Sequence, residues 1–326
     1  MYNRIVTHDD FDGVVSAALA GYFLELYRFA FAGPGDIANA RMSTTPGDIV
    51  CDLPYPLHCG MWFDHHQANF EDAALRGIDL GTVPGLREPA PSCARVIIDY
   101  FGREYEIEDE LETMVRSADR IDSFAYESIE DWRLERTENE INDAIKLKST
   151  GTPAERRTFL RTLTLWLTEE SLEDTAARPP VRERAALFRA EEKEMMALIE
   201  QHLDYLDSGK KIILLDFSGH VRRVKVVKNL AQLLALEALA VLEVNCIFDR
   251  QLKTNDLSFS MSLTIAGTHQ LVPRDLGEIM RELNIGSGHT GAASGRVNSS
   301  SKAEMLKARE RTLEAILAEW NKQGDG

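Results

Sequence analysis

Apolar and polar positions follow two rhythms along this chain. YNRIVT (2–7), GDIVCDL (47–53) and GMWF (60–63) are apolar runs too short for helices, and each predicts a strand. Between and after them, apolar residues recur at helical spacing. GVVSAALAGYFLEL, from Gly13, predicts a helix with Asp12 placed to accept its orphan N–H groups. PSCARVIIDYFG (91–102) predicts another, with Ser92 as cap and Gly102 as stop, and EDELETMVRSADR (108–120) a third. Strands alternating with helices predict an α/β domain with a mainly parallel sheet.

The pattern changes near residue 152. TPAE opens a helix with Thr152 as cap, Pro153 at the first position and Glu155 closing a capping box. Charged helical stretches follow, split by ARPP (177–180), and 183–206 has the spacing of an amphipathic helix. KKIILLDF (210–217), LAVLEVNCIFDR (239–250) and DLSFSMSLTIA (256–266) predict strands. DLGEIMRELN (275–284) and the stretch from Ser301 to Asn321 predict helices. The expected fold is α/β throughout: an N-terminal parallel-sheet domain over 1–150, a helical connector over 151–206, and a smaller C-terminal α/β domain over 207–326. The connector's amphipathic face offers a surface for a homodimer.

Composition narrows the class. The 326 residues are 44% hydrophobic, enough for real cores, with no apolar run long enough to span a membrane. MYNRIVTHDD has no apolar signal core, so the expected compartment is the cytoplasm. Cys51, Cys59, Cys93 and Cys246 are too sparse for a disulfide framework and are expected to be reduced thiols. Fifty-three acidic residues against 37 Lys and Arg give a net charge of −16. Long duplex nucleic acid needs a basic field, so the charge leaves only short anionic partners.

Three predicted strands end in the same kind of side chain. The first delivers His8, Asp10 and Asp12, the second Asp52, the third Asp64, His65 and His66. In an open parallel sheet, ligands gather outside the carboxyl ends of the strands. Asp119 and Asp122, in SADRID, are candidates to join them. Taken alone, an Asp-Asp-x-Asp is usually a solvated turn and a His-His pair is packing. Their joint placement at successive strand ends points to two divalent cations, whose four charges four carboxylates offset. Imidazole ligands disfavour a pure magnesium or calcium cage; manganese fits a mixed His/Asp site, with Mg2+, Co2+, Fe2+ or Zn2+ as alternatives. Such a pair clamps a phosphoryl oxygen and activates water.

HDDFDG, the CDL around Asp52, FDHH, SADRID and, near the C-terminus, GSGHTGAASGR occur in an order that resembles the DHH phosphoesterases with their DHH-associated C-terminal domain. The resemblance implies one manganese on His8, Asp10 and Asp52, and a second on Asp12, Asp52, His65 and Asp119, with Asp52 bridging. It implies His66 beside the substrate phosphate as donor or general acid, and Asp64 orienting a histidine. Asp9 has no implied role, and Asp122 is the alternative to Asp119. Ser92 matches a helix start near the metals and is equally well explained as a cap.

The C-terminal motif reads as a glycine-rich loop, in which Gly286, Gly288 and Gly291 would let backbone N–H groups approach an anion. His289 would donate to a phosphate or stack on a base, and Arg296 would add a charged contact. Family members often carry an arginine in the preceding strand; SFSMSLT has none, which leaves Ser260 or Ser262. Arg222, Arg223, Lys225 and Lys228 supply positive charge nearby and read as a solvated strand face. The expected activity is manganese-dependent hydrolysis of short oligoribonucleotides or linear dinucleotides to mononucleotides. The alternatives are a cyclic mono- or dinucleotide phosphodiesterase, a polyphosphate or nucleoside bisphosphate phosphohydrolase, and a non-catalytic nucleotide-binding protein.

Overall fold

The computed structural model describes residues 2–324. In chain order its elements are β1 (Arg4–Thr7), α1 (Phe11–Leu24), β2 (Phe29–Phe31), α2 (Pro34–Ala38), β3 (Asp48–Cys51), β4 (Met61–Phe63), α3 (Gln67–Leu75), α4 (Cys93–Phe101) and α5 (Asp109–Asp122). There follow α6 (Ile129–Arg133), α7 (Thr137–Lys146), α8 (Pro153–Glu169), α9 (Leu172–Ala177) and α10 (Pro179–His202). The chain continues with β5 (Leu203–Tyr205), β6 (Ile212–Asp216), β7 (Ala240–Asp249), β8 (Leu252–Leu263), α11 (Ile265–Thr268), α12 (Leu276–Glu282), β9 (Gly286–His289), β10 (Ala292–Val297) and α13 (Lys302–Lys322). The chain up to Ala125 with Leu134–Arg189 forms one compact unit; Tyr126–Arg133 and the chain from Ala190 form the other.

The first unit is built on a parallel sheet in the order β2-β1-β3-β4. Its strands are buried on both faces. Ile5, Ile49, Cys51 and Phe63 face a core made with α1, α4, α5 and α8, while Val6, Val50 and Trp62 face a second core with Leu53 and Phe70. That double burial explains why these strands read as unbroken apolar runs. α1 is apolar nearly all round, and its Ala17, Ala18 and Ala20 let sheet and helices approach closely.

The connector expected over 151–206 is not a separate body. Leu160, Leu163 and Leu167 of α8, Leu172 of α9, and Val181 and Ala185 of α10 belong to the same core as α1. An amphipathic helix must bury its apolar face, and α1 supplies the partner. The capping box at Thr152 and Glu155 forms as expected.

The second unit has a six-stranded sheet in the order β5-β6-β7-β8-β10-β9, parallel only between β6 and β7. Leu242, Val244, Phe259 and Met261 face a core shared with α12 and α13. On the other face, Ile213, Leu215 and Val241 pack with Leu230 and Ala231. Two expectations fail here. The strand across 219–229 does not form, and the segment is irregular until a short helical turn at Lys228–Leu233. The glycine-rich motif is a β-hairpin, not a loop. At Gly288 a Cβ would lie 2.4 Å from Ala293 Cα, so its missing side chain lets β9 approach β10.

No helix among the described residues is long and apolar enough to cross a membrane. All four cysteines are free thiols, with Cys51, Cys93 and Cys246 buried.

Candidate metal centre

β1, β3 and β4 are parallel neighbours, so the residues after Thr7, Cys51 and Phe63 emerge along one edge. The first of these turns is very tight. Thr7 Oγ1 donates to the Gly13 carbonyl at 2.7 Å, and a Cβ on Gly13 would stand 2.4 Å from the His8 carbonyl oxygen. Only glycine fits there. The helix then begins at Phe11, two residues before the expected start, and Asp10 rather than Asp12 is its cap. One Asp10 oxygen accepts from Gly13 N–H at 3.0 Å; the other lies 2.6 Å from His8 Nδ1.

Asp12 caps a different helix. Its carboxylate accepts from Cys93 N–H at 2.7 Å and Ala94 N–H at 2.9 Å, the first turn of α4. The positive end of that helix dipole supports a buried negative charge. Ser92 is the local cap of α4, accepting from Arg95 N–H at 3.0 Å, and its hydroxyl donates to Asp119 at 2.6 Å. Asp52, at the end of β3, adopts φ +55°, a left-handed conformation that aspartate tolerates better than most residues.

The fourth expected motif divides differently from the expectation. Asp119 does not reach the cluster: Ser92 and Arg95 hold its carboxylate, Arg95 Nη2 at 2.8 Å. Asp122, one turn further along α5, brings Oδ2 to 3.3 Å from His65 Nε2. The ligand atoms of Asp12, His65 and Asp122 form one group able to hold an ion, those of His8, Asp10 and Asp52 another, and those of Asp52, His65 and His66 a third that shares a residue with each. Asp52 also reaches toward the first group, with Oδ1 3.6 Å from His65 Nε2.

The donor set fits a cation. His65 Nδ1 lies 3.0 Å from the Ala90 carbonyl, which can only accept, so the ring's proton belongs on Nδ1 and Nε2 keeps its lone pair. That Nε2 and Asp52 Oδ1 are both buried without a hydrogen-bond partner. Two buried acceptors aimed at each other are costly unless something positive lies between them.

Without an ion, protons answer the same need. Burial opposes a charge on His8, but Asp10 and Asp52 outweigh it and raise its pKa to about 11. For His65 burial is likewise overcome, by Asp52, Asp12 and Asp122, again to about 11. Burial pushes Asp12 well up, reinforced by Asp52 and Asp122. Burial also raises Asp122, to about 7, attraction to His65 being outweighed. Asp52 moves the other way: against burial, His65 and His8 hold it well below the usual carboxylate range.

Asp64 is fully buried and acts through its neighbours. It accepts from His65 N–H, from His66 N–H and from His66 Nδ1 at 2.9 Å, while Asn69 donates to its second oxygen at 2.6 Å. His66 is thus fixed with Nδ1–H toward Asp64 and Nε2 free of that contact. Asp9, with no expected role, is gripped by Arg156, whose guanidinium lies 2.8 Å from its carboxylate and 3.0 Å from its carbonyl oxygen. Arg156 steadies the loop between His8 and Asp10 from 147 residues away, a relation no local pattern announces.

In the second unit, His289 Nδ1 accepts from Gly291 N–H at 3.2 Å. Gly286 and Gly288 serve strand packing. Arg296 pairs with Asp256 at 2.8 Å and Asn298 at 2.9 Å. Ser262 is buried, and Ser260 accepts from Lys228 at 2.7 Å.

No family model and no curated protein matches the chain. Solved structures do. A pGpG-specific phosphodiesterase, PggH, from Vibrio cholerae superposes with a TM-score of 0.68 at 20% identity, covering 97% of this chain and 99% of that one. A DHH domain from a member of the s1p family of ribosomal proteins matches with a TM-score of 0.58 at 12% identity, covering 98% and 86%. An exonuclease RecJ bound to manganese matches with a TM-score of 0.51 at 13% identity, covering 97% and 90%. At these identities the likeness is one of fold, and it extends over both units.

Proposed function

We infer that this chain, which has the DHH fold, is a metal-dependent phosphoesterase whose substrate is a linear dinucleotide or very short oligoribonucleotide, cleaved to mononucleotides. The observation that carries the reading is the buried, unpartnered pair Asp52 Oδ1 and His65 Nε2 at the crossing of two ligand groups. His8, Asp10 and Asp52 would hold one ion; Asp12, His65 and Asp122, with Asp52 reaching across, would hold the other. Manganese suits this mixture of imidazole and carboxylate, and a manganese-bound RecJ shares the fold. The similarity to a pGpG-specific phosphodiesterase over nearly the whole of both chains favours dinucleotides among the short substrates.

Bound there, the ions would supply polarisation of the phosphoryl oxygens and an activated water. The protein's own groups do the rest. Asp12 is fixed by the α4 amides and keeps its oxygens in place. Asp64 locks the His66 ring and raises its pKa, its hydrogen bond and charge outweighing burial. His66 therefore has a proton to give, from Nε2, to the departing oxygen.

The test is hydrolysis of a panel containing 5′-phosphorylated dinucleotides, short RNAs, cyclic nucleotides, nucleoside bisphosphate and polyphosphate, with manganese and with chelator. Dinucleotide turnover that chelator abolishes is expected, with two ions per chain by elemental analysis. His66→Ala should retain both ions and lose roughly a hundredfold or more in kcat. No turnover of any substrate overturns the enzyme reading; turnover of polyphosphate or cyclic nucleotides alone overturns the substrate.

A further inference from the structure

The sheet of the second unit carries a polar patch continuous with an apolar one. On the face where Ile213, Leu215 and Val241 pack, Glu243 and Asn245 of β7 stand opposite Ser260 and Ser258 of β8, and Ser294 of β10 lies opposite Ser260. The turn at Lys228–Leu233 is anchored on this face by Leu230 and Ala231. Its first residue, Lys228, reaches Ser260 Oγ at 2.7 Å. Asn245 donates to Glu243.

Lys228 and Glu243 are opposite charges, both half-buried on this face. Burial lowers the ammonium's pKa and raises the carboxyl's, and each charge partly offsets the other's loss. Yet among the described residues no ion pair joins them. Both side chains are only half-buried, so with no ion pair between them each keeps unused hydrogen-bonding capacity that a ligand can reach. Lys228 spends one of three N–H donors on Ser260, and Glu243 keeps acceptor capacity beyond Asn245.

A ligand that used both groups would offer an acceptor and donors side by side. A phosphate would satisfy Lys228 and be repelled by Glu243; a cation would do the reverse. The edge of a nucleobase satisfies both. Guanine fits a two-oxygen carboxylate in particular, because N1–H and the exocyclic amine are adjacent donors with O6 beside them as acceptor. Adenine and cytosine present a single donor group on that edge.

We propose that Glu243, Lys228 and Ser260 form a guanine-recognition site on the second unit, Glu243 accepting from N1–H and the amine while Lys228 donates to O6. The proposal deepens the nucleotide-substrate reading, but its test does not pass through the metals.

Chelator-treated full-length protein is titrated by calorimetry with GMP, IMP, AMP and CMP. GMP should bind about tenfold or more tighter than AMP or CMP, the scale of one charge-assisted hydrogen bond. IMP, lacking the amine, should fall between. Glu243→Gln, which is isosteric, and Lys228→Met should each weaken GMP about tenfold while leaving the weak AMP binding unchanged. Their melting temperatures, and those of Ser260→Ala, report whether the unit is folded. If a Lys228 variant unfolds, Ser260→Ala decides: it should weaken GMP severalfold. Equal affinity for all four nucleotides, no GMP binding, or folded variants that bind GMP like the parent would overturn the site. Manganese-dependent dinucleotide hydrolysis with no GMP preference would sink this inference alone. GMP binding without hydrolysis would sink the phosphoesterase reading alone.

Discussion

Asp52 joins three demands in one side chain. It lies at a strand end in a left-handed conformation, it is buried, and it belongs to one ligand-capable group with His8 and Asp10 and to another with His65 and His66. Asn keeps the shape and the backbone tolerance but loses the charge, so Asp52→Asn should fold and yet bind fewer than two manganese ions. A variant that titrates with two ions at parental affinity would show that Asp52 does not bridge. Asp122→Asn should weaken one ion's binding by tenfold or more. Asp119→Asn should keep both ions and lower the melting temperature, because it breaks the contacts to Arg95 and Ser92; the reverse pattern would restore Asp119 as the ligand. At this scale the strand ends were enough to bring His8, Asp10, Asp12, Asp52, His65 and His66 into one cluster, as the structure has them. The sequence favoured Asp119 over Asp122, whereas Asp122 is the one that lies beside His65. These lie three apart on one helix face, and what separates them is Arg95, on another helix.

α1 and its entry turn are the element on which the site depends most. Because a Cβ at residue 13 would meet the His8 carbonyl, Gly13→Ala should cost about 2 kcal/mol or more in urea unfolding and weaken manganese binding together. Gly219→Ala, with open space around it, should change stability by less than about 0.5 kcal/mol. Similar losses at both positions would mean that the close approach is not what restricts residue 13. β1, β3, β4 and the caps of α4 and α8 were readable because each has a local signature. β2 is only FAF, too short to show a period, and β5 lies at the end of a helical run that stops at His202. The glycines of β9 read as a loop because strand packing and backbone exposure call for the same residue.

Across the whole molecule, the boundaries at 150 and 206 could not be read locally, since α8 and α9 are placed by a helix some 140 residues earlier. The acid–imidazole cluster also sets a pH response. His8 and His65 have folded pKa values raised to about 11, so the stability they give without metal is complete below about 6.5 and is lost as pH climbs toward 11. Asp122, raised to about 7, adds a loss between about pH 4 and 7, of the same sign. Chelated protein should therefore melt several degrees lower at pH 9 than at pH 6.5, and His8→Gln should flatten that slope; a higher melting temperature at pH 9 would contradict it. Asp12 has a longer consequence. Because it also secures the start of α4, a descendant that abandoned the chemistry would be free to drop His8 or His65 well before Asp12. An acid surviving at that position in a distant cousin would testify to architecture, and only the imidazoles around it would speak for a living active site.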